Sequence, residues 1–172
     1  MLFLFLYGCS SKYKVHSNRY IQYEGEVNQH TRLIDAGTDH VFSILTHEKL
    51  FREICPMGTI VTFESPPPYQ TGTLIKTRID HIFKLQWHTR VEEVITPEKI
   101  RLRFMDGFFK GGIEIWELED KEGKTKLTQT IIVQPKGIIG KFVWLLKVRA
   151  KHDEMLEDFL DNLKNLAEKH TL

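Results

Sequence analysis

Arg149 and His152 stand three residues apart in a stretch, Gly137 to Lys169, that is otherwise patterned as one long amphipathic helix. An imidazole titrates near neutrality, and a guanidinium presents a fixed fork of donors. The pair suits either proton transfer or the orientation of a polar headgroup. The apolar stripe runs through Ile139, Phe142, Leu145, Leu146, Leu156, Phe159, Leu163 and Leu166 at three-and-four spacing, and Arg149 and His152 take two beats that should be apolar. Buried polar groups need partners, which an internal cavity supplies; the alternative is that both bury their stems and reach water.

A third group with chemistry is Glu114, which alternates onto one strand face with Trp116 and Leu118, while Ile113, Ile115 and Glu117 take the other. Either face can be the inward one on this pattern. With Glu114 inward an ion pair with Arg149 is expected, and removing one partner would leave a buried charge costing a few kcal/mol. Nucleophilic catalysis finds no Gly-x-Ser-x-Gly elbow, and metal chemistry finds no His-Glu-x-x-His or comparable local set. No metal, nucleotide or other cofactor is expected. Among the eight histidines, His30, His40, His47, His81, His88 and His170 read as surface or turn residues, and His16 falls in the leader.

The elements that must position these groups come from a chain of 172 residues, enough for one domain with a sizeable core. A net charge of +1 from 24 basic and 23 acidic residues, well mixed, gathers no phosphate backbone and excludes nucleic acid as a partner. The two cysteines, Cys9 and Cys55, form no disulfide framework or zinc pattern, and Cys55 reads as a small core residue. Residues 1–25 read as a leader or linker and 26–170 as the domain. Gly8-Cys9-Ser10 after an apolar run resembles the end of a bacterial lipoprotein signal. That run is too short to span a bilayer, no basic residue precedes it, and Tyr7 stands where a small residue is usual. The expected location is cytoplasmic, the alternative being an anchor through Cys9; a mis-called start codon accounts for the segment equally well.

Val27 to Ile34 suits a strand. Thr38 then suits the N-cap of a short helix through Val41, Phe42 and Leu45, and a second short helix, Glu48 to Ile54, is stopped by Pro56. Six strand-like runs follow at 59–64, 72–80, 83–94, 99–104, 112–119 and 124–133, with breaks short enough for an antiparallel meander. Phe83, Leu85, Trp87, Thr89 and Val91 alternate with Lys84, Gln86, His88, Arg90 and Glu92, and Ile100, Leu102 and Phe104 alternate with Arg101 and Arg103, giving one face to a core and one to water. The fold class is α+β: a curved antiparallel seven-stranded sheet around a long C-terminal helix, with two short helices after the first strand.

Three stretches carry a family resemblance. His30-Thr-Arg-Leu-Ile-Asp-Ala-Gly-Thr-Asp-His-Val-Phe42 is similar to a first strand leading into a helix with a "vf" pair. Gly112-Gly-Ile-Glu-Ile-Trp-Glu-Leu118 with Gly123-Lys-Thr-Lys-Leu127 is similar to paired strands around a "G-x-T-x-L" turn, and Gln134-Pro-Lys-Gly137-Ile-Ile-Gly140 to the entry of a closing helix. Together they resemble the START-like, birch-pollen-allergen-like helix-grip superfamily (SRPBCC), with its bacterial polyketide cyclase, coenzyme-Q-binding and lipid-transport branch, from about Val27 to Ala167. The resemblance implies a hydrophobic cavity between sheet and helix.

Alternation and the helix stripe place Trp87, Phe104, Glu114, Trp116, Gln129, Phe142, Arg149 and His152 at that cavity. The implied function is binding or transport of a hydrophobic small molecule, lipid, quinone or polyketide-like. The enzyme alternative is a metal-free cyclase or dehydratase-like activity using His152 with Arg149 or Glu114. A third reading is a peripheral membrane contact through Lys136, Lys141, Lys147, Arg149 and Lys151 beside Phe142, Trp144, Leu145 and Leu146; its counterpart is that these cations form a solvated helix face. The oligomeric state is not legible.

Overall fold

The computed structural model describes residues 20, 22–80, 85–134 and 149–169. Strand β1 (Glu26–Ile34) is followed by helices α1 (Thr38–Thr46) and α2 (Glu48–Ile54). Then come β2 (Thr59–Phe63), β3 (Leu74–Ile79), β4 (Leu85–Ile95), β5 (Lys99–Phe104), β6 (Ile113–Lys121), β7 (Lys124–Val133) and α3 (Arg149–Lys169). The seven expected strands and the two short helices are all present, and the described part of the long helix is helical as expected. Its stretch 137–148, including Phe142 and Trp144, lies outside the described residues.

All neighbouring strands are antiparallel, in the order β1-β7-β6-β5-β4-β3-β2, so β2 to β7 form a meander and β1 returns to lie beside β7. The sheet curls into a half-barrel against the helices. Its tightest turn joins β6 to β7 through Glu122 and Gly123, both at positive φ (57° and 85°), the backbone that a two-residue hairpin with right-handed strand twist requires. A bulge between Val91 and Glu93 shifts the register of β4 against β5.

The strand ends shift from expectation by one or two residues, and the start of α1 differs in its capping. The N-cap of α1 is Gly37, in extended conformation, and Thr38 is already helical, with no side-chain cap. Gly37 carbonyl accepts the Val41 N–H, so the backbone turns one residue earlier than a threonine cap would place it. Asp39 in the first turn still complements the helix dipole.

The register also decides the phase of β6. Trp116 faces the main core with Leu118, whereas Ile113 and Ile115 pack on the outer face with Ile132 and Tyr20. Tyr20 donates its hydroxyl to Glu117 at 2.8 Å there, so a residue from the stretch before β1 covers part of the outer sheet surface. The inner core joins Ile34, Leu45, Ile100, Leu127, Leu160 and Leu163, all nearly or fully buried. Each such side chain contributes roughly 1.5–3 kcal/mol on transfer from water.

Candidate functional site

Between the concave face of the sheet and α3 lies a cavity of about 440 Å³. Inward alternation builds its sheet side: Ile75 and Thr77 from β3, Trp87 and Thr89 from β4, Leu102 and Phe104 from β5. Glu114 and Trp116 of β6 continue the wall into Gln129 and Ile131 of β7, because Trp116 pairs with Gln129 and Glu114 with Ile131 across the strands. Leu45 and Phe51 close it from the short helices, and His152, Met155, Leu156 and Phe159 from α3. Phe159 ties the helix in, its ring lying 5.5 Å from Trp116 and 5.3 Å from Phe51.

A wall not foreseen from the sequence comes from the loop between β5 and β6. Phe108 and Phe109 line the cavity, and Phe109 sits edge-on to Trp87 at 5.5 Å and to His152 at 6.2 Å. The loop is held by Asp106, whose carboxylate takes the His88 backbone N–H at 2.7 Å and pairs with His88 Nδ1 at 2.6 Å. Gly107 permits the approach: its φ is +69°, and a Cβ there would lie 2.7 Å from the Gln86 carbonyl oxygen and 2.9 Å from Trp87 Cβ. Two adjacent aromatics in a glycine-flanked loop were the available sequence signal.

Of the residues placed at the cavity by sequence, Trp87, Phe104, Glu114, Trp116, Gln129 and His152 line it. Phe142 lies outside the described residues, and Arg149 opens α3 half-exposed, outside the lining. The expected Glu114–Arg149 ion pair is not formed. Glu114 instead accepts from Gln129 Nε2 at 3.1 Å and from the Trp116 side chain, its neighbours on the same sheet face. Burial pushes the Glu114 carboxyl up to about 6 against the pull of those two hydrogen bonds. Such a carboxyl is part protonated near neutrality and is chemically able to donate or accept a proton. Gln129 is 1% exposed, and its Oε1 is buried without a hydrogen-bond partner. Burial raises Tyr69 far above the phenol range, with Glu114 adding to the effect. It pushes the Cys55 thiol up to about 12, so Cys55 lines the cavity as an unreactive group.

His30 does not behave as a surface or turn residue. It projects from β1 toward α3, where Nδ1 meets Glu157 Oε1 at 2.5 Å and Nε2 meets Asp153 Oδ1 at 3.2 Å. Burial lowers its affinity for a proton, but two carboxylates on the two ring nitrogens outweigh this and raise its pKa above 6.5. Asp153 and Glu157 are correspondingly held below their usual range, their own burial being overcome by hydrogen bonds from His30, His152, Asn28 and Arg32. His30, His152 and Asp153 also bring potential metal-ligand atoms within 4.8 Å of one another, a set drawn from two elements far apart in sequence, which a search for local motifs misses. Asn28 Nδ2 already donates to Asp153 Oδ1 at 2.6 Å and stands 3.4 Å from His152 Nδ1, so these acceptors are met by an amide. The cluster works as a polar clamp between β1 and α3.

The clamp has a pH window. A raised His30 contributes stability that is complete below the ordinary imidazole value and fades as pH rises through its folded value. Lowered Asp153 and Glu157 contribute above the ordinary carboxylate range and fade as pH falls. Thermal unfolding followed from about pH 5 to about pH 9 is expected to lose about 1 kcal/mol on the alkaline limb after solvent screening. His30→Gln should flatten that limb; an unchanged profile in the variant would remove the clamp.

No protein-family model matches the chain, and no curated protein is significantly similar to it. Solved structures are similar in fold. TTHA0849 of Thermus thermophilus has a TM-score of 0.68 at 16% identity, over 86% of this chain and 100% of that one. KanY has a TM-score of 0.70 at 13% identity, over 85% and 99%. Ara h 8.0201 has a TM-score of 0.65 at 9% identity, over 84% and 99%. The chain therefore has the helix-grip fold of these proteins. Among the described residues no helix is long and apolar enough to cross a membrane. Of the residues on which membrane readings rest, Arg149 and Lys151 are described, whereas Cys9, Lys136, Lys141, Phe142, Trp144, Leu145, Leu146 and Lys147 lie outside the described residues.

Proposed function

We propose that this chain binds a small hydrophobic molecule, of lipid, quinone or polyketide-like character, in the cavity between the sheet and α3. The observation that carries the reading is the cavity: about 440 Å³, walled by aromatic and aliphatic side chains, with a few convergent polar groups. Small-molecule sites have this form and fall within roughly 300–1,000 Å³. The fold alone would not support the reading, because one scaffold hosts many activities.

Native mass spectrometry of the freshly purified protein, followed by organic extraction, is expected to find or exchange an apolar ligand. Thr77 lines the cavity from β3, and Thr77→Trp should fill part of it. Uptake of the fluorescent probe 1-anilinonaphthalene-8-sulfonate should weaken by about 10-fold or more, equivalent to about 1.4 kcal/mol. A protein that is empty on extraction, with probe uptake indifferent to Thr77→Trp, would overturn the assignment.

A second reading, acid–base catalysis on the bound molecule, is favoured by one observation: Glu114, a carboxyl raised to about 6, faces the same space as His152. In that case His152→Ala or Glu114→Gln would abolish turnover while the ligand still bound.

A further inference from the structure

The polar groups on the sheet side of the cavity are unbalanced in one direction. Glu114 offers carboxylate oxygens, and its protein donors are Gln129 Nε2 and the Trp116 side chain. Gln129 directs its amide nitrogen to Glu114 at 3.1 Å, while its buried Oε1 takes no hydrogen bond. That oxygen is sealed off from the cavity, so Glu114, which lines it, is the acceptor a bound molecule can reach. A second acceptor brought to the same place would face oxygen with oxygen in an apolar surround.

We propose that the cavity selects an apolar molecule ending in a hydrogen-bond donor, a hydroxyl or an amine, seated against Glu114, and rejects the matching carboxylate. This rests on the reading of the cavity as a binding site. The other titratable or charged groups lining the space are Cys55 after α2, Tyr69 before β3, and Lys151 and His152 on α3. Lys151 is the group that would favour a carboxylate, but its ammonium is paired with Glu154 at 2.9 Å on the exposed side of the helix.

The test is calorimetric titration of the whole protein with 1-octanol, octylamine and octanoate, which share one chain and differ at the head. At about pH 8, where Glu114 is ionised, octanol and octylamine should each bind at least about 10-fold more tightly than octanoate. Octanoate takes up a proton of its own near pH 5, so the comparison of heads is made at about pH 8, where it and Glu114 are both ionised. Glu114→Gln places an amide where a carboxylate head can be met, and should close most of the gap at about pH 8. Glu114→Met serves as a second variant if that one does not fold: it removes the carboxylate altogether and should likewise narrow the gap at about pH 8. Equal binding of all three, or a preference for octanoate, overturns head-group selection and leaves cavity binding standing. A preference that survives Glu114→Gln also overturns it. Uptake of none of the three, with no uptake of 1-anilinonaphthalene-8-sulfonate, would remove the cavity reading with it.

Discussion

Leu163→Ala is expected to destabilise the protein by roughly 3–5 kcal/mol and to lower its Tm by roughly 10 °C, read by calorimetry or circular dichroism. Leu163 is fully buried on the face of α3 that packs into the main core with Leu127, Leu160 and Ala167. Truncation there removes transfer energy and leaves a hole that the surrounding helix and sheet fill only in part. The cavity beside this core is a void the fold tolerates, whereas the Leu163 position is packed on every side. Leu166→Ala serves as the control: Leu166 is only partly buried against the same cluster, so its loss should be distinctly smaller. Equal effects at the two positions would mean that α3 is not held through the face described.

Gly107→Ala should cost about 2–4 kcal/mol and loosen the aromatic wall of the cavity. Two penalties add. A non-glycine residue at φ +69° is strained, and the new Cβ meets the Gln86 carbonyl oxygen at 2.7 Å and Trp87 Cβ at 2.9 Å. Those are backbone and near-backbone atoms of β4, which cannot swing away as a side-chain tip would. The loop must retreat, taking Phe109 from its contacts with Trp87 and Phe104. Gly123→Ala separates the two penalties, because Gly123 also has positive φ (+85°) but its Cβ would meet nothing within 4 Å. It should show strain alone, about 1 kcal/mol. A weakened affinity for an apolar probe in Gly107→Ala, absent from Gly123→Ala, checks that Phe109 is part of the site.

Much of this architecture was legible because the sheet obeys its period. Trp87, Thr89 and Val91, and Ile100, Leu102 and Phe104, alternate cleanly against charged residues, so their inward face followed from pattern alone. Strand β6 was not resolvable that way, since Glu114-Ile-Trp-Glu117 mixes apolar and acidic residues on both faces. The answer depended on Tyr20 covering Ile113 and Ile115 from outside, a contact across more than ninety residues of chain. Strand β1 misled for a related reason. His30 reads as a surface or turn residue, yet together with Asn28 and Arg32 it meets Asp153, Glu157 and Asp161 of α3, with Arg32 2.6 Å from Glu157 and 2.8 Å from Asp161. A polar interface between two elements is indistinguishable from two exposed surfaces until both are placed. Arg149 shows the converse: a missed beat in a helical stripe can simply mark the side chain that reaches out.

The cavity also bears on the folding equilibrium of the whole chain. Roughly 440 Å³ of the interior is filled by none of the described side chains, and the atoms around it forgo the dispersion contacts that close packing would give them. A molecule seated there binds the native state and not the unfolded one, so its concentration enters the stability directly: at a hundredfold excess over its Kd it adds about 2.7 kcal/mol. That is close to the low end of what one buried leucine on α3 supplies. The occupant is, in thermodynamic terms, a core residue delivered in trans.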